Sequence, residues 1–366
     1  MHTTTIGVFD SGFGGLTVLR ALIDRLPLAQ FAFLGDTARL PYGSKSRRTI
    51  ARYASESARF LVGEQGAEFL VIACNTASAL ALDAIQDAVS VPVLGVIEPG
   101  AQAAGAASQS RDVLVIATDA TVQSHAYTAA CQAQGLRALE KACPLLVPLV
   151  EEGWIDASTI TASCAAEAAP APPQVAVTAE VIRIYLAELT AEAAAHGFNP
   201  DVLVLGCTHY PLLRPLFEAA VPAGVRIIDS AQAAAEAALH SINDSLGPFA
   251  AGIAPRPTEL RCFATDSVDK FERLGSRFLG RPVGKVQLVD QALGFHLHAF
   301  VLVADGQGCA GLVKFLGDAP GDGTLVGQPE DHGRLACQID HAFFLPPGPR
   351  EGCGTNPLQL TGYQPP

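Results

Sequence analysis

The sequence predicts an α/β protein of two pseudo-symmetric domains, each a mainly parallel sheet flanked by helices, with an active site in the interdomain cleft. Three observations predict it. Short β-like runs alternate with Ala/Leu-rich helical stretches, the pattern of parallel sheets covered by helices. One segment occurs twice, as Phe69-Leu-Val-Ile-Ala-Cys74-Asn-Thr and as Val202-Leu-Val-Leu-Gly-Cys207-Thr-His209. Polar residues cluster just past the strand ends, the edge at which open α/β sheets bind ligands.

Thr5 to Phe9 is the first strand candidate, and it runs into Asp10-Ser11-Gly12-Phe13-Gly14-Gly15. These glycines allow a sharp turn and expose N–H groups ahead of the amphipathic stretch Leu16 to Leu26, whose helix start would attract a carboxylate or phosphate. A Gly-rich turn with an Asp/Ser cap is the alternative reading. The spacing lacks the third glycine of a dinucleotide fingerprint and the Gly-Lys-Ser/Thr end of a phosphate-binding loop. Phe31 to Leu34 reads as the second strand, before Gly35-Asp36-Thr37. Phe69 to Ala73 is the third, before Cys74-Asn75-Thr76, and Val91 to Val96 the fourth, before Glu98. Val113 to Ala117 leads to Thr118-Asp119, Val202 to Leu205 to Cys207-Thr208-His209, and Val225 to Ile228 to Asp229-Ser230. Val177 to His196 reads as a long helix.

At 366 residues the chain can form two domains, each burying its own core. The repeat places the first at residues 1–98 with the chain returning over 236–290, and the second at 99–235. A Pro/Ala-rich stretch at about 162–176 reads as a flexible insertion. Residues 291–366 form a Gly/Pro-rich extension expected to be poorly ordered, with Phe295 to Val303 able to dock as a strand. A net charge of -12 with 24 Lys+Arg argues against a broad nucleic-acid footprint and against anionic membranes, leaving small ligands or protein partners. The start, Met-His-Thr-Thr-Thr-Ile, lacks a basic region before an apolar core, and no apolar run approaches a membrane span, so a cytoplasmic location is expected. The nine cysteines include no C-x-x-C pair and no zinc-spaced group; they read as reduced thiols, most of them core residues.

Cys74 and Cys207 stand apart from the other cysteines. Each ends an apolar strand and precedes a helix start, which would favour thiolate over thiol. Two such thiols facing one cleft can handle a proton from opposite sides.

Six segments in order resemble the cofactor-independent aspartate/glutamate racemase family, and within it the glutamate-specific branch. They are Gly7-Val-Phe-Asp-Ser-Gly-Phe-Gly-Gly-Leu16, Gly35-Asp-Thr-Ala-Arg-Leu-Pro-Tyr-Gly43, Ala73-Cys-Asn-Thr-Ala77, Gly95-Val-Ile-Glu-Pro-Gly100, Leu149-Val-Glu-Glu-Gly153 and Leu205-Gly-Cys-Thr-His-Tyr-Pro-Leu-Leu213. The resemblance covers residues 5 to 290. It implies interconversion of L- and D-glutamate for peptidoglycan, with Cys74 deprotonating the D enantiomer and Cys207 the L enantiomer. It also implies that Asp10 assists Cys74, and that His209 and a glutamate of the 151/152 pair assist Cys207. Glu152 is the expected choice, and structural caps are the alternative for Asp10 and His209. The family's pocket residues correspond to Asp10, Ser11, Tyr42, Gly43, Asn75, Thr76, Thr208 and His209. Thr118 and Thr121 are expected to add contacts, with simple helix capping as their alternative. Asp10 and Glu98 are candidates to offset a substrate ammonium.

The chemistry suits thiols, whose ordinary pKa of about 8.5 makes both protonation states accessible. The expected resting pair is one thiolate and one thiol. No cofactor is expected: the chain has five lysines, none set as a Schiff base, and Lys45 beside Pro41-Tyr-Gly-Ser reads as a solvated loop residue. No metal is expected either, because Cys207 and His209 are two ligands where zinc needs four. Family members are often dimers, so a homodimer is an expectation of the resemblance alone. An aspartate or hydantoin racemase and a racemase-like regulatory binding protein are the alternative functions.

Overall fold

The computed structural model describes residues 4–155, 172–246 and 259–289. Among the described residues ten strands build two sheets. The six-stranded sheet holds β1 (Thr5–Asp10), β2 (Gln30–Gly35), β3 (Phe69–Ile72), β4 (Val93–Gly95), β9 (Leu260–Ala264) and β10 (Val286–Leu288), in the order β10-β9-β2-β1-β3-β4. The four-stranded sheet holds β5 (Asp112–Ala117), β6 (Arg137–Ala142), β7 (Val202–Gly206) and β8 (Arg226–Asp229), in the order β6-β5-β7-β8. Every pairing is parallel. Parallel neighbours need crossovers, and the Ala/Leu-rich stretches supply them as helices.

The helices are α1 (Leu16–Arg25), α2 (Arg47–Gly63), α3 (Asn75–Leu80), α4 (Leu82–Ala88), α5 (Ile97–Ala107), α6 (Asp119–Ser124) and α7 (Ala126–Ala133). They continue with α8 (Leu146–Glu151), α9 (Pro173–Ala195), α10 (Arg214–Ala220), α11 (Ser230–Leu246) and α12 (Val268–Leu279). The expected helix from Val177 begins earlier, at Pro173. A proline is suited to a first helical turn because its missing N–H would have no partner there. Residues 173–176 of the expected insertion are therefore helical. Its 162–171 part and the 291–366 extension lie outside the described residues.

Side-chain alternation along the strands explains the layering. Ile6 and Val8 of β1, Leu114 and Ile116 of β5, and Leu203 and Leu205 of β7 belong to one cluster, so the two sheets share a core rather than each closing its own. The alternate residues face outer helices: Phe9, Leu70 and Ile72 pack with Ile50, Ala54 and Ile85, while Val113, Val115, Val202 and Val204 pack with Ile97, Ala101 and Tyr127. Such strands must be apolar on both faces, which is why they read as continuous runs. Each fully buried Leu, Ile, Val or Phe side chain contributes about 1.5–3 kcal/mol relative to exposure.

Three strands escape the sequence reading. β6, Arg-Ala-Leu-Glu-Lys-Ala, is a half-buried edge whose charged residues break the apolar pattern. β10 is a three-residue edge. β9 carries Arg261, whose guanidinium is drawn off to Gln65, with Nη1 donating to Oε1 at 2.8 Å. Among the described residues no helix is long and apolar enough to cross a membrane.

Candidate active site

Each sheet has one point where the chain order reverses. In the first it lies between β1 and β3, and in the second between β5 and β7. A crevice opens at such a point because the adjoining crossovers depart in opposite directions. Asp10 ends β1 and Cys74 follows β3; Thr118 follows β5 and Cys207 follows β7. The repeated segment thus delivers a thiol to each switch point.

Cys74 is 5% exposed and caps α3, its sulfur accepting the Ala77 N–H at 3.4 Å and donating to Ser11 Oγ at 3.4 Å. Burial and the neighbouring Asp10 charge push this thiol up to about 12, against the smaller opposing effects of the hydrogen bonds. The expected tilt toward thiolate at the helix start is therefore overturned for Cys74: desolvation outweighs the helix. Asp10 is itself buried, and desolvation raises its pKa. Its Oδ2 accepts the Gly12 N–H at 2.9 Å, whereas Oδ1 is buried without a hydrogen-bond partner. It closes the turn at Gly12 and also interacts with the backbone N–H of Gly15, the cap position of α1, so the helix-start role given as its alternative is present too.

Cys207 faces a different set. His209 Nδ1 lies 3.9 Å from the Cys207 sulfur and 3.4 Å from Thr208 Oγ1, and its Nε2 lies 3.3 Å from Glu151 Oε1. Burial opposes a charge on His209, but its contacts with Cys207 and Glu151 prevail and push its pKa up to about 10. Desolvation of Glu151 is likewise outweighed, by the His209 hydrogen bond and the charges of His209 and Lys270, and its carboxyl sits below the usual range. His209 precedes the 3-10 turn Tyr210–Leu213 without a side-chain capping bond; its ring serves the thiol side instead. The expected Glu152 is corrected to Glu151. Glu152 is exposed at the cap of α8, and a helix places successive side chains on different faces, so only one of the pair meets His209.

The remaining pocket candidates knit the two sheets together. Thr76 Oγ1 lies 3.0 Å from Thr118 Oγ1 and 3.3 Å from Thr121 Oγ1, and Thr118 and Thr121 are 2.9 Å apart. Thr118 occupies the cap position of α6 but makes no side-chain cap bond, so capping does not account for it. A Cβ added at Gly43 would meet Thr118 at 3.4 Å. Asn75 accepts the Tyr127 hydroxyl at Oδ1, 2.7 Å, which leaves its buried Nδ2 without a hydrogen-bond partner. Thr17 Oγ1 donates to the Thr208 carbonyl at 3.1 Å. At Gly14 a Cβ would come within 2.6 Å of His209 Nδ1 and closer still to Thr208 Oγ1, so only glycine permits this approach.

Tyr42 is held from below by Asp36, accepting its hydroxyl at 2.6 Å; Thr265 Oγ1 donates to the other Asp36 oxygen at 2.9 Å. Burial raises the pKa of both Asp36 and Tyr42. Glu98 does not join this group. It is an exposed residue in the first turn of α5, and it lines a surface cavity of about 360 Å³ whose walls include neither thiol nor Asp10. Tyr127, Asp36 and Lys270 are the supporting residues that the sequence reading missed. Asp36 alone had a signal, its place just past a strand end.

Parallel sheets carrying acid–base side chains at their switch points define an α/β enzyme that moves protons. Residues 17–238 match the Asp/Glu/Hydantoin racemase family. The chain belongs to that family and is an amino-acid racemase. A glutamate racemase of Koribacter versatilis is 51% identical over 303 residues, spanning 78% of this chain and 97% of the relative. Among solved structures, a glutamate racemase isoform from Bacillus anthracis is 35% identical with a TM-score of 0.66, covering 78% of this chain and 97% of its own. Glutamate racemase from Francisella tularensis, solved in complex with D-glutamate, is 31% identical with a TM-score of 0.65, covering 79% and 98%.

Proposed function

We propose that the chain interconverts L-glutamate and D-glutamate without a cofactor, by proton transfer between Cys74 and Cys207. The observation that carries the reading is a thiol at the switch point of each parallel sheet, each with its own acid–base neighbours. The glutamate racemase relatives support the choice of substrate. Inverting an α-carbon needs a base on one face and an acid on the other, so that the substrate need not turn over. With L-glutamate, the Cys207 sulfur takes the α-hydrogen as a proton. The bonding pair stays on the substrate and spreads into its carboxylate, and Cys74 gives its Sγ proton to the opposite face. The reverse sequence starts from D-glutamate with Cys74 as base; this assignment of hand to thiol comes from the resemblance.

The neighbours fit these roles. Cys74 rests as the thiol, the form a donor needs. His209, held charged, stabilises negative sulfur beside it. The unpartnered Asp10 Oδ1 suits a substrate ammonium, and the unpartnered Asn75 Nδ2 suits a carboxylate. Ser11, Tyr42, Gly43, Thr76, Thr118, Thr121 and Thr208 supply hydroxyl and backbone donors around them.

We assign residues 1–98 with 236–290 to one lobe and 99–235 to the other, closing on the substrate to exclude water. Supply of D-glutamate to peptidoglycan, a cytoplasmic location and a homodimer complete the proposal. The test is incubation with L-glutamate, and separately L-aspartate, in deuterated water without added cofactor, following optical rotation and deuterium at Cα. Exchange and loss of rotation with glutamate are expected. No exchange with glutamate would end the proposal, and activity confined to aspartate would replace it with an aspartate racemase.

A further inference from the structure

The two oxygens of Glu151 are held from opposite sides. Oε1 lies 3.3 Å from His209 Nε2, and Oε2 lies 3.6 Å from Lys270 Nζ. Lys270 stands on α12, which follows β9 of the six-stranded sheet, whereas Glu151 ends α8, between β6 and β7 of the other sheet. The Lys270 ammonium also lies 5.5 Å from the centroid of the Phe13 ring, within reach of its negative face. The same helix brings Phe278 edge-on to the His209 ring at 5.0 Å, and Arg277, whose Nη1 donates to the Val150 carbonyl at 3.5 Å. Gly153, at φ 78°, leaves room for that arginine: a Cβ there would meet Nη1 at 2.8 Å.

We infer that Lys270 is a positioning residue of the Cys207 half: it holds Glu151 Oε2 so that Oε1 stays aimed at His209, and His209 at the Cys207 sulfur. It touches no reacting atom. The inference rests on Cys207 acting as a base, as proposed above. The terminal torsion of a glutamate is broad, and a carboxylate gripped at one oxygen can swing; gripped at both, it cannot. Cys207, Glu151 and Asp10 are the titratable groups that act on His209, and Lys270 is the cation that acts on Glu151. A Glu151 free to swing loses its contact with His209, one of the interactions that raise the His209 pKa, so the pH dependence of this half moves downward. Lys270 is 45% exposed, and solvent screening keeps the effect moderate.

The experiment compares the full chain with Lys270→Met and Lys270→Arg. It reads kcat and KM for L- and D-glutamate across pH, and the rate at which iodoacetamide alkylates each thiol, resolved by mass spectrometry. Lys270→Met should lower kcat about 2- to 5-fold, the range of a partly exposed ion pair. It should also move the pH profile downward and alter the pH dependence of alkylation at Cys207 but not at Cys74. Lys270→Arg should restore all three. A Lys270→Met profile that is unchanged or only scaled down would overturn the inference, as would equal changes at both thiols or an arginine variant that behaves like methionine. A native chain that does not racemise glutamate would defeat the functional reading instead, and the alkylation profiles would still judge Lys270.

Discussion

Cys74 and Cys207 end near-identical strands, yet one meets a carboxylate and a serine while the other meets an imidazole backed by a carboxylate and an ammonium. The faces differ too. Leu70 and Ile72, which precede Cys74, pack toward α2 and α4; their counterparts Leu203 and Leu205 pack into the core shared by the sheets. A duplicated segment therefore fixes where a thiol stands, and unlike surroundings fix what it does first. In the proposed reaction Cys74 serves as the acid, and burial keeps its proton in place. Cys207 has a cation beside it, as a base needs when its charge must be held near substrate.

The sharpest way to break this comparison is to remove each sulfur in turn. Cys74→Ala and Cys207→Ala should each lower racemisation by about 10³-fold, in the range expected for a positioned general acid or base. Chiral chromatography of the products checks this, and full turnover by either variant would end the two-base account. His209→Asn comes next, with an expected loss of about 10²-fold in kcat and slower alkylation of Cys207 but not of Cys74. The same variant sharpens the electrostatic side. The pKa of His209 is raised from 6.5 to about 10, so its stabilising contribution is fully present below about pH 6.5 and is lost as pH rises through about 10. Thermal melting from pH 6 to 10 should show the native chain losing stability relative to His209→Asn. A constant difference between them would count against a charged His209. Glu151→Gln should cost about 10-fold in kcat, against no measurable loss for Glu152→Gln; a larger loss for Glu152→Gln would restore the choice made from sequence. The smallest effect is expected for Thr17→Val, about 1 kcal/mol of stability from the lost bond to the Thr208 carbonyl, read by denaturant unfolding.

Much of this site was legible because apolar strands with polar ends are loud signals. Seven of the strands are short apolar runs, and both thiols, Asp10, His209, Thr76, Thr118 and Thr208 lie where such a run gives way to a polar cluster. The choice of Glu152 over Glu151 failed for a different reason: the two are adjacent, and only the phase of a six-residue helix decides which meets His209. Glu98 failed because Val96 to Gly100 enters α5 instead of prolonging a strand, turning the carboxylate to solvent. Lys270 could not be read because it reaches the site from an element distant in sequence, and Tyr127 because its partner, Asn75, lies in another sheet's segment. β6 was missed because charged residues interrupt its apolar pattern, and β10 because three residues are too few to show one.

At Gly14 the start of the first helix leans on the segment carrying Cys207 with no side chain between. A spacer made of main chain alone has a fixed thickness, unlike one built from rotamers that can be exchanged or repacked. In the proposed reaction the separation of the two sulfurs must match the width of one carbon atom and its bonds, and an error of about 1 Å in such a gap costs orders of magnitude in rate. Gly14 fixes how closely the turn after β1 approaches Thr208 and His209, the residues that follow Cys207, and under the proposed reaction that closeness bears on the gap.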